Sequence, residues 1–311
     1  MAPTNSKVTN MKTILRFVVA LSSVVVALPA TAALNVFACE PEWGALAQEL
    51  AGDKVSVYFA TTALQDPHRI EARPSLIARI RSTDLLICSG SELEIGWIPL
   101  LLTQSGNPRV QLGSPGYFEA SQYVVKLEIP KVLDRALGDL HPGGNPHVHT
   151  DPRNIAKIAL ALEERMVQID PANAESYRTR AKSFLGRWQA ALARWEQQAV
   201  PLKGVPIVVY HKDFSYFINW AGMREAGSLE PKPGLPPTPA HLADLLDRMK
   251  IQPAKVIVYS PYNSPQAAEF LSSRANIPTV MMPFTVGGTD KAKDLFGLFD
   301  DTIGRLLATV K

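Results

Sequence analysis

Six histidines are the side chains in this sequence best placed to do chemistry: His68, His141, His147, His149, His211 and His241. Neutral imidazole is the commonest protein ligand for divalent transition metals and titrates close to neutrality. Three of the six stand where an apolar run has just ended. His68 lies in Gln65-Asp-Pro-His68 beyond Lys54–Phe59 (KVSVYF), and His211 follows directly on Val205–Tyr210 (VPIVVY). His147 lies in Asn145-Pro-His-Val-His-Thr-Asp-Pro152, immediately ahead of a helical pattern. In open α/β sheets, ligands bind beyond the carboxyl ends of the strands. Two lobes facing each other would bring these three loops to one cleft and their imidazoles together. Three such donors suit zinc, which takes neutral His nitrogen at about 2.0–2.1 Å in a tetrahedron. Pro67 and Pro146 stiffen the chain just before two of the ligands, which limits the ordering cost of capturing an ion. A single Pro-His pair is ordinary surface sequence; it is the combination that points to a metal.

The remaining candidates are less specific. His149 is two residues from His147 and in an extended segment would point the opposite way. His141 and His149 are candidates for helping metal reach the centre, whereas His241 reads as a helix-surface residue. Glu71, Glu92 and Glu94 fall near the same cleft, where carboxylates that orient metal-bound imidazoles are expected. Sequence alone does not choose among these acids, and solvated or capping carboxylates are the simpler reading.

The elements that must position these loops alternate between strand and helix. Leu34–Ala38 (LNVFA), Lys54–Phe59 and Asp84–Cys88 read as strands, with helices over Glu42–Leu50, Pro74–Arg81 and Ile95–Leu102. A helix over Asp151–Ile169 follows, with Asp151 as its cap and Pro152 in its first turn. After Pro171 an unusually long helix is predicted over Asn173–Ala199, its Tyr177, Ala181, Phe184, Trp188, Leu192 and Trp195 recurring every three or four residues. The alternation then restarts, with strands at Val205–Tyr210, Lys255–Tyr259 and Pro278–Met282 and helices at Leu242–Met249, Pro265–Arg274 and Ala292–Leu307. This predicts an α/β protein of two doubly wound lobes with parallel sheets, joined by one long rigid helix, with the metal in the cleft between the lobes. The boundaries expected are 1–32 for a signal, 33–171 for the first lobe, 172–200 for the helix and 201–311 for the second lobe. The proline-rich Glu230–Pro239 (EPKPGLPPTP) is neither regular helix nor central strand and reads as an ordered loop capping the helix that contains His241.

Composition narrows the function classes. The chain has 311 residues, 46% hydrophobic and 20% charged, enough apolar content for real cores. Its net charge of +3 belongs to the N-terminus: residues 1–32 carry Lys7, Lys12 and Arg16 and no acid, leaving 29 basic residues against 29 acidic ones. No basic cluster remains to make a nucleic-acid footprint. Lys12 and Arg16, the apolar Phe17–Leu28 and the small-residue Ala30-Thr31-Ala32 form an export signal, its apolar run too short to span a bilayer. The mature protein is expected to start near Ala33 in the periplasm. No Cys follows the apolar run, which argues against a lipid anchor. The two cysteines, Cys39 and Cys88, each end a strand-like run; neighbouring parallel strands would bring them together, so one disulfide is expected, with two buried thiols as the alternative.

Taken in order, several of these segments carry a family resemblance. They are Asp66-Pro-His68 with Arg73-Pro-Ser75, Asp84-Leu-Leu, Ser89-Gly-Ser-Glu-Leu-Glu94 with Trp97, and Asn145-Pro-His147 with Asp151-Pro. The long helix follows, then Tyr210-His211 with Phe214 and Tyr216, and Pro283-Phe-Thr-Val-Gly-Gly288. Over nearly the whole mature chain the sequence resembles the zinc/manganese-binding class of periplasmic solute-binding proteins that serve ABC importers. The resemblance implies a monomeric receptor that binds its metal between two lobes and delivers it to a permease in the inner membrane. It also implies that His68, His147 and His211 are the imidazole ligands. Members that prefer manganese usually carry a carboxylate where His211 stands, so Zn(II) is the expected ligand, and manganese or iron the runner-up. Many members draw a fourth ligand from an Asp in the loop after the last strand. The first acid there in this sequence is Asp290; Asp66 and water are the other possibilities. The segment before His147 is also short, without the long His-rich insertion common in zinc receptors.

Two other classes fit less well. An exported zinc hydrolase could use three histidines with an open position, but no HExxH pair and no clear general base stand beside a ligand. A surface adhesin lacks any visible anchor. The chain is therefore expected not to be an enzyme.

Overall fold

The computed structural model describes residues 1–2 and 33–310. The export signal expected over 1–32 thus falls, apart from its first two residues, outside the described residues.

Two four-stranded sheets, each wholly parallel, carry the chain. In the first, β1 (Leu34–Ala38), β2 (Val55–Phe59), β3 (Leu85–Cys88) and β4 (Tyr117–Glu119) lie in the order β2-β1-β3-β4. In the second, β5 (Pro206–Val209), β6 (Arg224–Ser228), β7 (Val256–Tyr259) and β8 (Thr279–Met281) lie in the order β6-β5-β7-β8. Each half therefore starts at a central strand, steps to one edge, and crosses back to the other side. Parallel neighbours need crossover connections, which α1 (Pro41–Ala51), α2 (Pro74–Arg81) and α3 (Ile98–Ser105) supply in the first half. The chain then runs through α4 (Pro152–Ile169) and α5 (Ala174–Ala199); α6 (Ser215–Ala221), α7 (Pro239–Ile251), α8 (Gln266–Ala275) and α9 (Leu295–Thr309) complete the second half. β3 is buried along its whole length, and β5 and β7 nearly so. Covering on both faces is why they read as unbroken apolar runs.

α5 has 26 residues, roughly 39 Å at 1.5 Å per residue. Its buried stripe runs from Tyr177 to Trp195. It packs on α1 and α4 of the first half and on α9 of the second. The Trp188 ring lies 5.0 Å from that of Trp195 and 4.9 and 5.6 Å from Phe296 and Phe299 at the start of α9. Each buried aromatic of this kind contributes about 1.5–3 kcal/mol over leaving it in water. Trp188 also donates its indole N–H to the Pro152 carbonyl at 2.8 Å, which fixes α5 to the start of α4.

Cys39, one residue past β1, and Cys88, the last residue of β3, are joined in a disulfide across these directly paired strands, with a Cα–Cα distance of 4.8 Å. The expected helix from Ile95 begins at Ile98. Residues before it form a turn in which Ser91 and Glu92 adopt positive φ (52° and 65°), stabilised by the Glu94 carboxylate, which accepts the N–H groups of Ser89 and Gly90. Glu230–Pro239 is an ordered loop, and its Thr238 caps α7 by accepting the His241 N–H. Three elements escaped the sequence reading: β4, α6 and β6.

Candidate metal centre

The His68 turn, Pro67–Arg69, lies beyond β2. Asp66 precedes it and accepts both the backbone N–H of His68 (3.0 Å) and its Nδ1 (2.8 Å). Trp97 donates to the Pro67 carbonyl from the other side. Burial works to raise the Asp66 carboxyl, but the hydrogen bond and charge of His68 outweigh it, and the carboxyl lies below its ordinary range. With Nδ1 engaged, Nε2 is the nitrogen left for a ligand role.

His147 is placed by Asn145. The Asn145 side-chain oxygen accepts the His147 N–H, while its amide donates to Glu128 and to the Lys212 carbonyl, and Tyr216 donates to the Asn145 carbonyl. The His147 ring is 1% exposed, and neither nitrogen has a hydrogen-bond partner among the described residues. Burial, then the charges of His68 and His211, hold this imidazole well below its usual pKa and so neutral. His211 stands two residues beyond β5 and places Nδ1 2.7 Å from Glu230. Burial alone would lower its pKa; the Glu230 hydrogen bond and the charges of Asp213, Glu230 and Asp66 outweigh burial and push it up to about 9.

These three imidazoles face one another. Ring centroids are 5.3 Å apart for His68 and His147, 5.4 Å for His68 and His211, and 5.7 Å for His147 and His211. One donor atom from each lies within 4.8 Å of the others, a spacing that a single ion can close. Asp213, also 1% exposed, places Oδ1 3.7 Å from His147 Nε2. Its carboxylate accepts hydrogen bonds from the hydroxyls of Tyr262 (2.7 Å) and Ser260. Beside these imidazoles opens a cavity of about 250 Å³, lined by His141, His147, His211, Glu128, Asp139 and Lys212 among others.

Asp290 stands apart from this cluster. It is exposed on a turn closed by the Gly287 N–H to the Ala292 carbonyl, and Thr289 beside it donates to Asp301 of α9, which directs the turn toward that helix. Of the acids expected near the cleft, Glu71 and Glu92 are exposed and Glu94 is buried holding its own turn. The acids that orient imidazoles are Asp66 and Glu230. Sequence reasoning also missed Glu40, buried beside Glu94; burial pushes Glu40 well up and Glu94 to about 7. A carboxylate two residues beyond a buried strand was the available signal.

His149 is wholly buried and braces the two halves. It is 2.9 Å from the Phe284 carbonyl through Nε2 and 3.1 Å from Glu42 through Nδ1, while Thr285 donates to Glu42. This takes the place of the accessory role in metal access for which His149 was one candidate, because the turn Val148–Thr150 directs the ring into the core. His241 is half-buried, with Nε2 2.9 Å from the Ser228 carbonyl at the end of β6. His141 is nearer the centre than its sequence position suggested: its Nε2 is 3.3 Å from His68 Nε2.

Two parallel α/β halves, one long helix packed on both, and imidazoles from both halves converging between them define a two-lobed metal receptor. The chain belongs to the ZnuA family, described as zinc-uptake complex component A, periplasmic, whose model matches residues 36–308. It is 23% identical over 227 residues to the high-affinity zinc uptake system protein ZnuA of Yersinia pestis, covering 68% of this chain and 70% of that protein. It is 22% identical over 254 residues to the iron ABC transporter substrate-binding lipoprotein MtsA of Streptococcus pyogenes serotype M1, covering 80% and 78%. A crystal structure of ZnuA superposes with a TM-score of 0.73 at 18% identity, covering 88% of this chain and 99% of that one. Members of this family are extracytoplasmic solute-binding receptors of ABC importers, not enzymes, and this chain is a metal-binding receptor of that kind.

Proposed function

We propose that this receptor captures Zn(II) in the periplasm as a monomer and delivers it to the inner-membrane permease of an ABC importer, with His68, His147 and His211 as ligands. In this reading residues 33–171 and 201–311 are the two lobes and 172–200 the helix that limits their motion. The observation that carries it is the meeting of three imidazoles, two of which have Nδ1 committed to Asp66 and Glu230. Carboxylate–imidazole pairs of this kind fix the ring and raise the basicity of the nitrogen that faces the metal. All-imidazole donors suit zinc, whereas manganese favours oxygen and binds such sites more weakly. A manganese or iron receptor is the second reading, favoured by the Asp213 oxygen 3.7 Å from His147. Metal-stripped protein titrated with zinc in competition with manganese tests the choice. One zinc per chain, displaced only by a large manganese excess and lost when His68, His147 and His211 are all changed to Ala, is the expected result. Tighter manganese binding, or unchanged zinc affinity in the triple variant, would overturn it.

A further inference from the structure

We infer that His141 is the fourth ligand, so that four imidazoles enclose the ion and no carboxylate touches it. This rests on the reading of His68, His147 and His211 as the metal centre.

The Nε2 atoms of His141 and His68 are 3.3 Å apart. Two nitrogens bound to one tetrahedral zinc at about 2.0–2.1 Å stand roughly 3.3–3.4 Å from each other. The gap, which in the metal-free chain is a hydrogen bond, thus matches the separation of two ligands on one ion, while His141 stands outside the trio whose donor atoms all lie within 4.8 Å of one another. Asp66 engages His68 Nδ1, which leaves Nε2 as the His68 nitrogen that faces His141.

The competing oxygen donors are otherwise engaged. Asp66 accepts two bonds from His68, Asp213 accepts two hydroxyls, and Asp290 is exposed on a turn tied to α9.

His141 is set in place by a built turn. The Gly144 N–H closes on the His141 carbonyl (2.9 Å), and Gly144 adopts φ +94°. Two residues earlier, the Asp139 N–H donates to the Pro233 carbonyl of the proline-rich loop (2.8 Å). Gly138 adopts φ +97° there, and a Cβ on it would meet that same carbonyl at 2.5 Å. The loop carrying His141 is thus strapped to the segment whose Glu230 orients His211. Its ring borders the 250 Å³ cavity shared with His147 and His211, so it is the ligand on the open side of the centre. A fourth nitrogen in place of an oxygen widens the preference for zinc over manganese.

The test uses the purified full mature chain, zinc as the probe, and three forms: unaltered, His141→Ala and Asp290→Asn. Affinity is read by chelator competition and the number of imidazoles on the metal by zinc X-ray absorption. The expected result is four imidazoles in the unaltered protein and three in His141→Ala, with affinity at least about 10-fold weaker in that variant. Asp290→Asn should match the unaltered protein. If the unaltered chain takes up no zinc, the functional reading fails and the inference with it. If it binds zinc while His141→Ala retains its affinity and imidazole count, the inference alone fails. A crystal structure of the unaltered zinc complex decides between these outcomes without a variant. His141 Nε2 within about 2.2 Å of the ion supports the inference, and a water or Asp290 oxygen in that position overturns it.

Discussion

The two halves share a strand order and differ in what hangs from it. In the first half, the loops beyond the strands carry His68, His141 and His147, a disulfide ties β1 to β3, and Glu40 and Glu94 are buried beside it. The second half offers His211 and Asp213 from a single turn after β5, and the β5–β6 pairing slips register between Ile207 and Val208. Its imidazole is held by an acid on the loop after β6 and its carboxylate by hydroxyls from the segment after β7. Identical topology thus places loops at the same edge but does not decide their chemistry. The first half presents a stapled set of imidazoles, and the second adds His211, whose imidazole is paired with Glu230.

The staple is the sharpest difference, and removing it should have the largest effect on stability. Cys39→Ala with Cys88→Ala opens a loop closed across 49 residues, which by chain entropy costs about 4 kcal/mol. Denaturant unfolding of the metal-free protein should show that loss. If stability is unchanged, the first half owes its rigidity to packing alone, and the contrast between the halves weakens.

The second half is tested through Glu230. His211 must shed its proton to bind metal, so apparent zinc affinity in the unaltered protein should climb with pH until about 9. Stability of the metal-free form runs the opposite way: the charged His211–Glu230 pair contributes fully below the unfolded histidine value and is lost as pH rises through about 9. Glu230→Gln lowers the His211 pKa, so the affinity curve should level off at lower pH, and affinity at high pH should fall about 10- to 100-fold. Calorimetric titrations across pH and in buffers of different ionisation enthalpy read both. A pH profile unchanged in the variant would show that Glu230 does not set the proton on His211.

The smallest expected effect lies farther from the ion. Thr238→Ala removes the cap of α7 and should cost about 1 kcal/mol in the thermal unfolding of the metal-free protein. Zinc affinity should stay as it was; a drop would mean that the proline-rich loop is tuned by the helix it caps.

Much of this was legible from residue order because buried parallel strands announce themselves as apolar runs and put their loops at one edge. β1, β2, β3, β5, β7 and β8 fall within a residue or two of the runs that predicted them, and His68, His147 and His211 lie together. β4 has only three residues, and the edge strand β6 (REAGS) has no apolar alternation to read. α6 (SYFINWA) is short and buried on most sides, so it shows no period. Asp290 and His141 mark where local pattern stops. An acid downstream of the last strand was visible, but not the turn that ties it to α9. No spacing rule could show that a glycine-rich turn folds back to set His141 against His68.

The proline-rich loop has a mechanical consequence. Glu230 grips His211, the Pro233 carbonyl holds the Asp139 end of the His141 loop, and Lys232 reaches the Ala136 carbonyl. Leu235, a few residues on, is 46% exposed. Any displacement of this short loop therefore bears at once on His211, through Glu230, and on the turn that carries His141, through the Pro233 and Ala136 carbonyls.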